Sequence, residues 1–200
     1  KLFAKSAEPA KRQQSAYLLA AAASAKQQLD SNTNHYLDLL EQESSKAKTD
    51  DAANIIVKVK LLMNQDSSDA YGKARSLIDQ NHKLIGHDAR LLALEIDLCL
   101  IEKRFTTAVD YLSIARKEKA ISDETVQAWE AKAYYGAFTE IISQQDEASL
   151  LAYWKSIGRK VKQQETVLFS YCQVLAEQNI TEPLIKIITP MLKKQPNDRF

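Results

Sequence analysis

Histidine is the residue of this chain best suited to hold a metal ion or a haem iron, and there are three. His82 and His87 lie five positions apart beside a predicted turn between helices, whereas His35 lies far from both in sequence. The motifs that usually build such sites, Cys-x-x-Cys and His-Glu-x-x-His, are missing. We interpret the pair as polar turn residues, with a metal or haem ligand as the alternative.

Catalytic chemistry has little support in the sequence. Glu140, Asp146 and Glu147 flank one predicted turn, where carboxylates normally cap helices rather than transfer protons. There is no Gly-rich phosphate loop and no Gly-x-Ser-x-Gly. The chain is therefore predicted not to be an enzyme, and no cofactor or metal is predicted for it.

The two cysteines, Cys99 and Cys172, lie in apolar helical stretches. Free cysteine in such a setting packs as a small hydrophobic residue. We predict buried free thiols, which suits a reducing compartment.

Aromatic residues are densest near the predicted fourth pair of helices, and basic residues follow them. The aromatic residues are Tyr134, Tyr135, Phe138, Tyr153 and Trp154. The basic residues are Lys155, Arg159, Lys160 and Lys162. The pattern favours a packed aromatic core beside a solvated helix end. The alternatives are an aromatic recognition patch and a basic patch for an acidic partner or a porphyrin propionate.

The totals exclude some classes of protein. The 200 residues carry 27 basic and 26 acidic side chains, for a net charge of +1. Nucleic-acid binding normally leaves a strong basic excess, so nucleic acid is not predicted as the partner. No run of 18 apolar residues exists, so no membrane span is predicted within the chain.

The elements that position these residues are helices, because apolar residues recur with helical rather than alternating spacing. Ala74 and Ala108 occupy matching points of similar segments 34 residues apart, and so do Leu150 and Leu184. This is the tetratricopeptide period, in which each unit is an antiparallel helix pair. Between Ala108 and Leu150 about 8 extra residues intervene, and we expect them to lengthen the first helix and the turn of the fourth pair.

The sequence thus predicts an all-α protein, a right-handed α-solenoid of about five tetratricopeptide-like helix pairs that forms one domain over residues 1–200. The predicted pairs are residues 9–29 with 32–45, 51–65 with 69–83, 88–102 with 105–118, 122–143 with 147–160, and 164–177 with 181–194. Pro9 is expected in a first turn, Gly86 at a helix stop, Pro190 at a bend and Pro196 at the end of the last helix.

In such an array the first helix of each pair lines the inner groove, where a partner protein binds. Counting from the alanine position predicts which side chains face that groove. They are Lys58, Arg90, Asp97, Gln127, Phe169 and Gln173.

Several stretches, in this order, carry a resemblance to a known family. They are residues 17–21, 58–61, 127–129, 135–136, 150–155, 159–160, 192–195 and 198–199. The most specific is Leu-Leu-Ala-Tyr-Trp-Lys at 150–155, followed by Arg159 and Lys160. Together they resemble the HemY family, tetratricopeptide proteins of proteobacteria encoded with haem-biosynthesis genes.

The resemblance implies a scaffold of the bacterial inner membrane. Family members carry two N-terminal membrane helices and then a repeat domain, expected on the cytoplasmic side. This chain would be the middle of that domain, without the anchor and the final repeats. The implied function is to gather other proteins, the enzymes of late protohaem synthesis, and the family offers no catalytic residues to carry over. The flavin-dependent protoporphyrinogen oxidase of the same name needs a dinucleotide-binding Gly motif, which this sequence lacks.

The alternative function is direct porphyrin or haem binding, or haem trafficking. Tyr134, His82 or His87 would then hold the iron, and Arg159 or Lys160 would bind the propionates.

Overall fold

The computed structural model describes residues 2–47, 52–83 and 88–194. Within these ranges the chain forms eleven helices and no strand, so the predicted all-α class is confirmed. The helices are α1 (Leu2–Lys26), α2 (Asp30–Ala47), α3 (Ala52–Met63), α4 (Ser68–Gln80), α5 (Ala89–Ile101), α6 (Phe105–Ala115), α7 (Asp123–Gln144), α8 (Glu147–Ser156), α9 (Arg159–Lys162), α10 (Glu165–Glu177) and α11 (Thr181–Lys194).

The chain divides into two compact units, Lys1–Leu98 and Cys99–Phe200, which we call unit 1 and unit 2. In unit 1, α2 packs along α1, and α3 packs on α1 and α4. In unit 2, α7 packs against α6, α8 and α10. The prediction of a single domain over residues 1–200 stays a prediction.

Side-chain caps begin several helices. Ser122 Oγ accepts a hydrogen bond from the Thr125 N–H (3.2 Å) at the start of α7. Asp88 likewise accepts from the Arg90 N–H (2.9 Å) at the start of α5. Such caps satisfy amide groups that have no partner inside their own helix.

One turn recurs at the ends of helices along the chain. Gln28, Asp66, Lys103 and Asn179 have φ between 49° and 59°, and they follow α1, α3, α5 and α10. In three of these turns the next N–H reaches back five residues to a carbonyl; the bonds are Leu29 to Ser24, Arg104 to Cys99, and Ile180 to Leu175 (3.0, 2.8 and 2.8 Å). This left-handed ending satisfies the last carbonyls of a helix. Each of these helices is the first of a predicted pair.

The first helix of the predicted fourth pair is longer and ends differently. α7 has 22 residues, whereas α10 has 13, which confirms that extra residues lengthen this helix. The predicted lengthening of the turn is wrong, because only Gln145 and Asp146 separate α7 from α8. Its last cap, Gln145, has φ −125° and ψ −106° rather than a left-handed backbone. The interruption of the 34-residue period therefore coincides with a change of turn.

The structure corrects two helix predictions. Pro9 lies inside α1, which begins at Leu2. The lost amide bond at a proline is a local defect, and a 25-residue helix packed along α2 retains its other bonds. The predicted helix 147–160 is interrupted at Ile157 and Gly158, whose extended backbone (ψ 134° and 144°) separates α8 from α9. Glycine opposes helix because it loses the most backbone freedom there.

Other predictions fall partly outside the described residues. Pro190 lies inside α11, as expected. Gly86, His87 and Pro196 lie outside the described ranges. α2 continues to Ala47, beyond the predicted end at residue 45.

Candidate functional site

The aromatic cluster forms part of the core of unit 2. Trp154 stacks on Tyr171 with ring centroids 3.9 Å apart and an interplanar angle of 4°. The Phe138 ring meets the rings of Tyr153, Trp154 and Tyr171 edge-on at 5.9, 6.0 and 5.2 Å. Phe138 and Tyr171 are fully buried. These contacts join α7, α8 and α10, and Tyr171 is a member that the sequence analysis did not include.

The basic residues lie around the break between α8 and α9. Lys155, Arg159 and Lys160 are exposed, whereas Tyr153 and Trp154 are half-buried. Lys162 is the residue tied to the cluster: its Nζ lies 5.5 Å from the centroid of the Trp154 ring and donates to the Lys155 carbonyl (3.0 Å). The predicted patch is thus a set of exposed cations beside partly covered rings.

Of the residues proposed as haem ligands, the structure describes Tyr134 and His82, which belong to different units. Tyr134 is buried in unit 2, and burial raises the pKa of its hydroxyl to about 12. His82 is exposed in unit 1. Among the described residues, no group of three or more His, Cys, Asp or Glu side chains is arranged to hold a metal ion.

Both cysteines are buried free thiols, as predicted. Burial raises the pKa of the Cys172 thiol to about 11. A thiol that stays protonated at neutral pH is a poor nucleophile and a poor metal ligand. Cys172 therefore acts as a packing residue of α10.

In unit 1 the predicted groove residues differ in exposure. Lys58 is only 5% exposed and lines a cavity between α2, α3 and α4. Arg90 is exposed and pairs with Asp88 (2.8 Å), whose pKa it lowers through that hydrogen bond. Asp97 is half-buried.

In unit 2 the predicted groove residues come together on two neighbouring helices. Gln127 and Tyr135 lie two turns apart on one stripe of α7, and Phe169, Gln173 and Glu177 lie at four-residue spacing on α10. The Tyr135 hydroxyl donates to Glu177 Oε2, and Gln173 Nε2 donates to Glu177 Oε1, both at 2.9 Å. We call these five residues the α7–α10 face.

Phe169 is the main apolar group of the α7–α10 face. Its side chain is 49% exposed, although a phenylalanine on a helix of this core would ordinarily be covered. Gln127 and Gln173 beside it are exposed and polar. The face therefore combines one accessible aromatic ring with hydrogen-bonding groups.

Hydrogen bonds beneath the face hold α7 and α10 parallel. Thr166 Oγ1 donates to Glu130 Oε2, and Ser170 Oγ donates to the Ala131 carbonyl, each at 3.2 Å. Together with the bond from Tyr135 to Glu177, these contacts advance along both helices in the same direction. Parallel neighbours separated by a returning helix, here α8, are what consecutive helix pairs produce.

A buried ion pair ties the preceding helix to this arrangement. Glu130 is 1% exposed, and Arg116, just after α6, donates to it and to the side chain of Gln164. The same residues border a cavity of about 430 Å³ beside Gln127. Because Arg116 and Thr166 occupy the Glu130 oxygens, this carboxylate is not available as a base.

Sequence reasoning did not find the supporting residues Glu130, Thr166 and Ser170. The sequence did contain an indication of this site. Glu130 is a charged residue among the apolar positions of α7, next to Trp129 and near Val126. A lone acidic residue at such a position indicates a buried partner on another helix.

Comparison with known proteins does not identify a family for this chain. The chain matches no protein-family model, no curated protein and no solved structure. Across the ranges that the structure describes, no helix is both long enough and apolar enough to cross a membrane.

Proposed function

We propose that the chain is a right-handed α-solenoid scaffold of tetratricopeptide-like helix pairs that binds a partner protein on the α7–α10 face. The observation that carries this proposal is the half-exposed Phe169 on a face whose polar groups are fixed by hydrogen bonds. Aromatic residues that are accessible and held on rigid helices are the usual anchors of protein interfaces.

The recurring left-handed turn supports the repeat architecture. It closes the first helix of four predicted pairs, at Gln28, Asp66, Lys103 and Asn179. None of these residues is glycine, so each turn is formed at some local cost that the surrounding packing must offset. Recurrence of one unfavourable turn at similar intervals is expected of a repeated unit.

A recurring buried charge supports the same interpretation. Lys58 in α3, Glu95 in α5 and Glu130 in α7 are each buried, about two turns from the start of their helix. Glu95 is paired with Arg75 of the preceding α4 (2.7 Å), just as Glu130 is paired with Arg116 after α6. Two of these three buried charges are therefore paired with an arginine on or just after the preceding helix, which supports a repeated helix pair.

We further propose a role in late haem biosynthesis, on the strength of the resemblance to the HemY family. In this proposal the repeat domain is tethered at the bacterial inner membrane, on the cytoplasmic side, and gathers enzymes of the pathway. The stretch 150–155 that carries most of the resemblance includes Trp154, which stacks on Tyr171 of α10. That stack helps to position the helix that bears Phe169.

The test is to crosslink native membranes, purify the intact protein from them and identify the partners recovered with it. We expect enzymes of late haem synthesis to copurify with it, as identified by mass spectrometry. Phe169→Ala is expected to reduce their recovery strongly, because truncating an interface anchor costs about 2 kcal/mol or more of binding free energy.

The matched control is Ile185→Ala, which shortens another exposed apolar side chain, 61% exposed, on α11. It is expected to leave recovery unchanged. Equal recovery by wild type and Phe169→Ala would reject the α7–α10 face. Recovery of proteins unrelated to haem synthesis would reject the proposed pathway.

A further inference from the structure

Unit 1 contains a cavity of about 510 Å³ between α2, α3 and α4. This volume lies within the range of pockets that hold small molecules. Three leucines, Leu37, Leu62 and Leu77, supply apolar wall. The remaining wall is mostly polar or charged.

Lys58 is the one buried charged residue of this cavity. Its side chain lines the cavity, and within the described part of the chain it forms no hydrogen bond or ion pair. The two residues at the corresponding point of later helices, Glu95 and Glu130, are both paired with arginines. Because Lys58 lines the cavity, its ammonium group is available to an anion or hydrogen-bond acceptor bound there.

The rim of the cavity carries the opposite charge. Asp38 and Glu41 of α2 and Asp69 of α4 line it, with all three carboxylates exposed. Asp69 is neutralised by Lys73 (2.9 Å); this hydrogen bond, and to a smaller extent Asp38, raises the pKa of Lys73. The cavity therefore has a buried cation at one point and an excess of negative charge at its opening.

This distribution of charge suits a ligand with two opposite ends. A carboxylate would accept hydrogen bonds from the Lys58 ammonium group, and a cationic group would lie against Asp38 and Glu41. A short aliphatic stem between them would pack on the leucines. A simple anion would be repelled at the rim, and a simple amine would leave Lys58 without an acceptor.

We propose that this cavity binds a small ω-amino carboxylate, with its carboxylate on Lys58 and its ammonium group on Asp38 and Glu41. The site is separate from the α7–α10 face and does not depend on the proposed scaffold function. It requires no metal and no covalent step.

The test is titration of the full chain with 5-aminopentanoate, followed by calorimetry and by amide chemical shifts. The matched probes are pentanoate, which lacks the ammonium group, and pentylamine, which lacks the carboxylate. We expect 5-aminopentanoate to bind, and each single-ended probe to bind about tenfold more weakly or worse. No shifts at residues around the cavity with about 10 mM 5-aminopentanoate would overturn the proposal, as would equal affinity for either single-ended probe.

Two variants with one control locate the site. Lys58→Met keeps an unbranched stem but removes the charge, and it is expected to weaken 5-aminopentanoate binding about tenfold or more. Lys60→Met, at an exposed position of the same helix, should leave the affinity within about twofold. Unchanged binding by Lys58→Met would overturn the proposal.

Glu41→Gln keeps the test decisive if Lys58→Met does not fold, because Glu41 is exposed. This substitution should weaken 5-aminopentanoate and pentylamine together and should not weaken pentanoate. Weakening of pentanoate to the same degree would contradict the proposed orientation.

Discussion

Glu130 illustrates how a single buried carboxylate organises the helices around it. Its two oxygens contact Arg116 and Thr166, which belong to neighbouring segments of the chain. The carboxylate is nearly inaccessible, so these contacts replace all of its hydration. The buried Glu130 carboxylate therefore requires Arg116 and Thr166 to lie at fixed positions beside it.

Removing one member of this ion pair should cost more than removing both. Arg116→Met leaves the Glu130 carboxylate buried without its cation, so the free energy of unfolding should fall by about 3 kcal/mol. The double variant Arg116→Met with Glu130→Met should recover part of that loss, because no uncompensated charge remains. Urea denaturation of the single and double variants measures both effects.

The control is Arg90→Met, which breaks the exposed pair with Asp88. An exposed ion pair contributes about 1 kcal/mol at most, so this variant should change stability little. If Arg116→Met lowers the free energy of unfolding no more than Arg90→Met does, the buried pair contributes no more to stability than the exposed pair.

At the scale of elements, helix caps and apolar spacing were sufficient to predict most helices from the sequence. Ser122 and the apolar residues after it predict α7, and the helix ends one residue from the expected position. Such features act over a few residues, which is why they can be read locally. The extra length of α7 was also predictable from the sequence, because it interrupts the fixed period of the repeat.

The left-handed turns were not predictable in this way. Gln28, Lys103 and Asn179 adopt them without glycine, because the packing of both flanking helices selects the turn. The break at Gly158 was missed because Lys155, Arg159 and Lys160 around it are compatible with one continuous helix.

Two glycines give a matched test of helix packing. A Cβ at Gly136 in α7 would overlap the Phe105 ring at the start of α6, whereas a Cβ at Gly72 in α4 would meet nothing within 4 Å. Gly136→Ala should therefore lower the free energy of unfolding by about 1–3 kcal/mol. Gly72→Ala should raise it by about 1 kcal/mol, because alanine is the better helix former.

Thermal or urea unfolding of the two glycine variants measures these changes. Circular dichroism of each folded variant serves as the control for helix content. Stabilisation by Gly136→Ala would contradict the close approach of α6 and α7.

At the scale of the whole molecule, the candidate site was only partly predictable. Gln127, Phe169 and Gln173 were expected on one groove and lie on one face of unit 2. Lys58 was expected there too, but its side chain lines a cavity whose other wall residues belong to α2 and α4. Which side of a helix is covered depends on neighbours distant in sequence, so a register count alone cannot decide it.

Buried ionisable groups in unit 2 make the stability of the chain depend on alkaline pH. Burial raises the pKa of Tyr134 and Tyr171 from 10.0 to about 12 and that of Cys172 from 9.0 to about 11. The folded chain therefore keeps these protons to higher pH than the unfolded chain does. Their contribution to stability is complete below about pH 9 and is lost progressively as pH rises toward 11 and 12.

We expect the melting temperature to fall between pH 9 and pH 11. Tyr171→Phe and Cys172→Ala should each flatten this decline, because each removes a group that ionises on unfolding. The Tyr171 hydroxyl has no hydrogen-bond partner among the described residues, so Tyr171→Phe should lose little stability at neutral pH. A decline identical to that of wild type in both variants would contradict this origin of the pH dependence.

The central claim is that the α7–α10 face receives a partner protein. The most direct measurement places a photoreactive phenylalanine analogue at position 169 of the intact protein, with position 185 as the exposed apolar control, in native membranes. The account predicts adducts with an enzyme of late haem synthesis from position 169 and few or none from position 185. Adducts from position 185 alone, or equal yields from both positions, would contradict it.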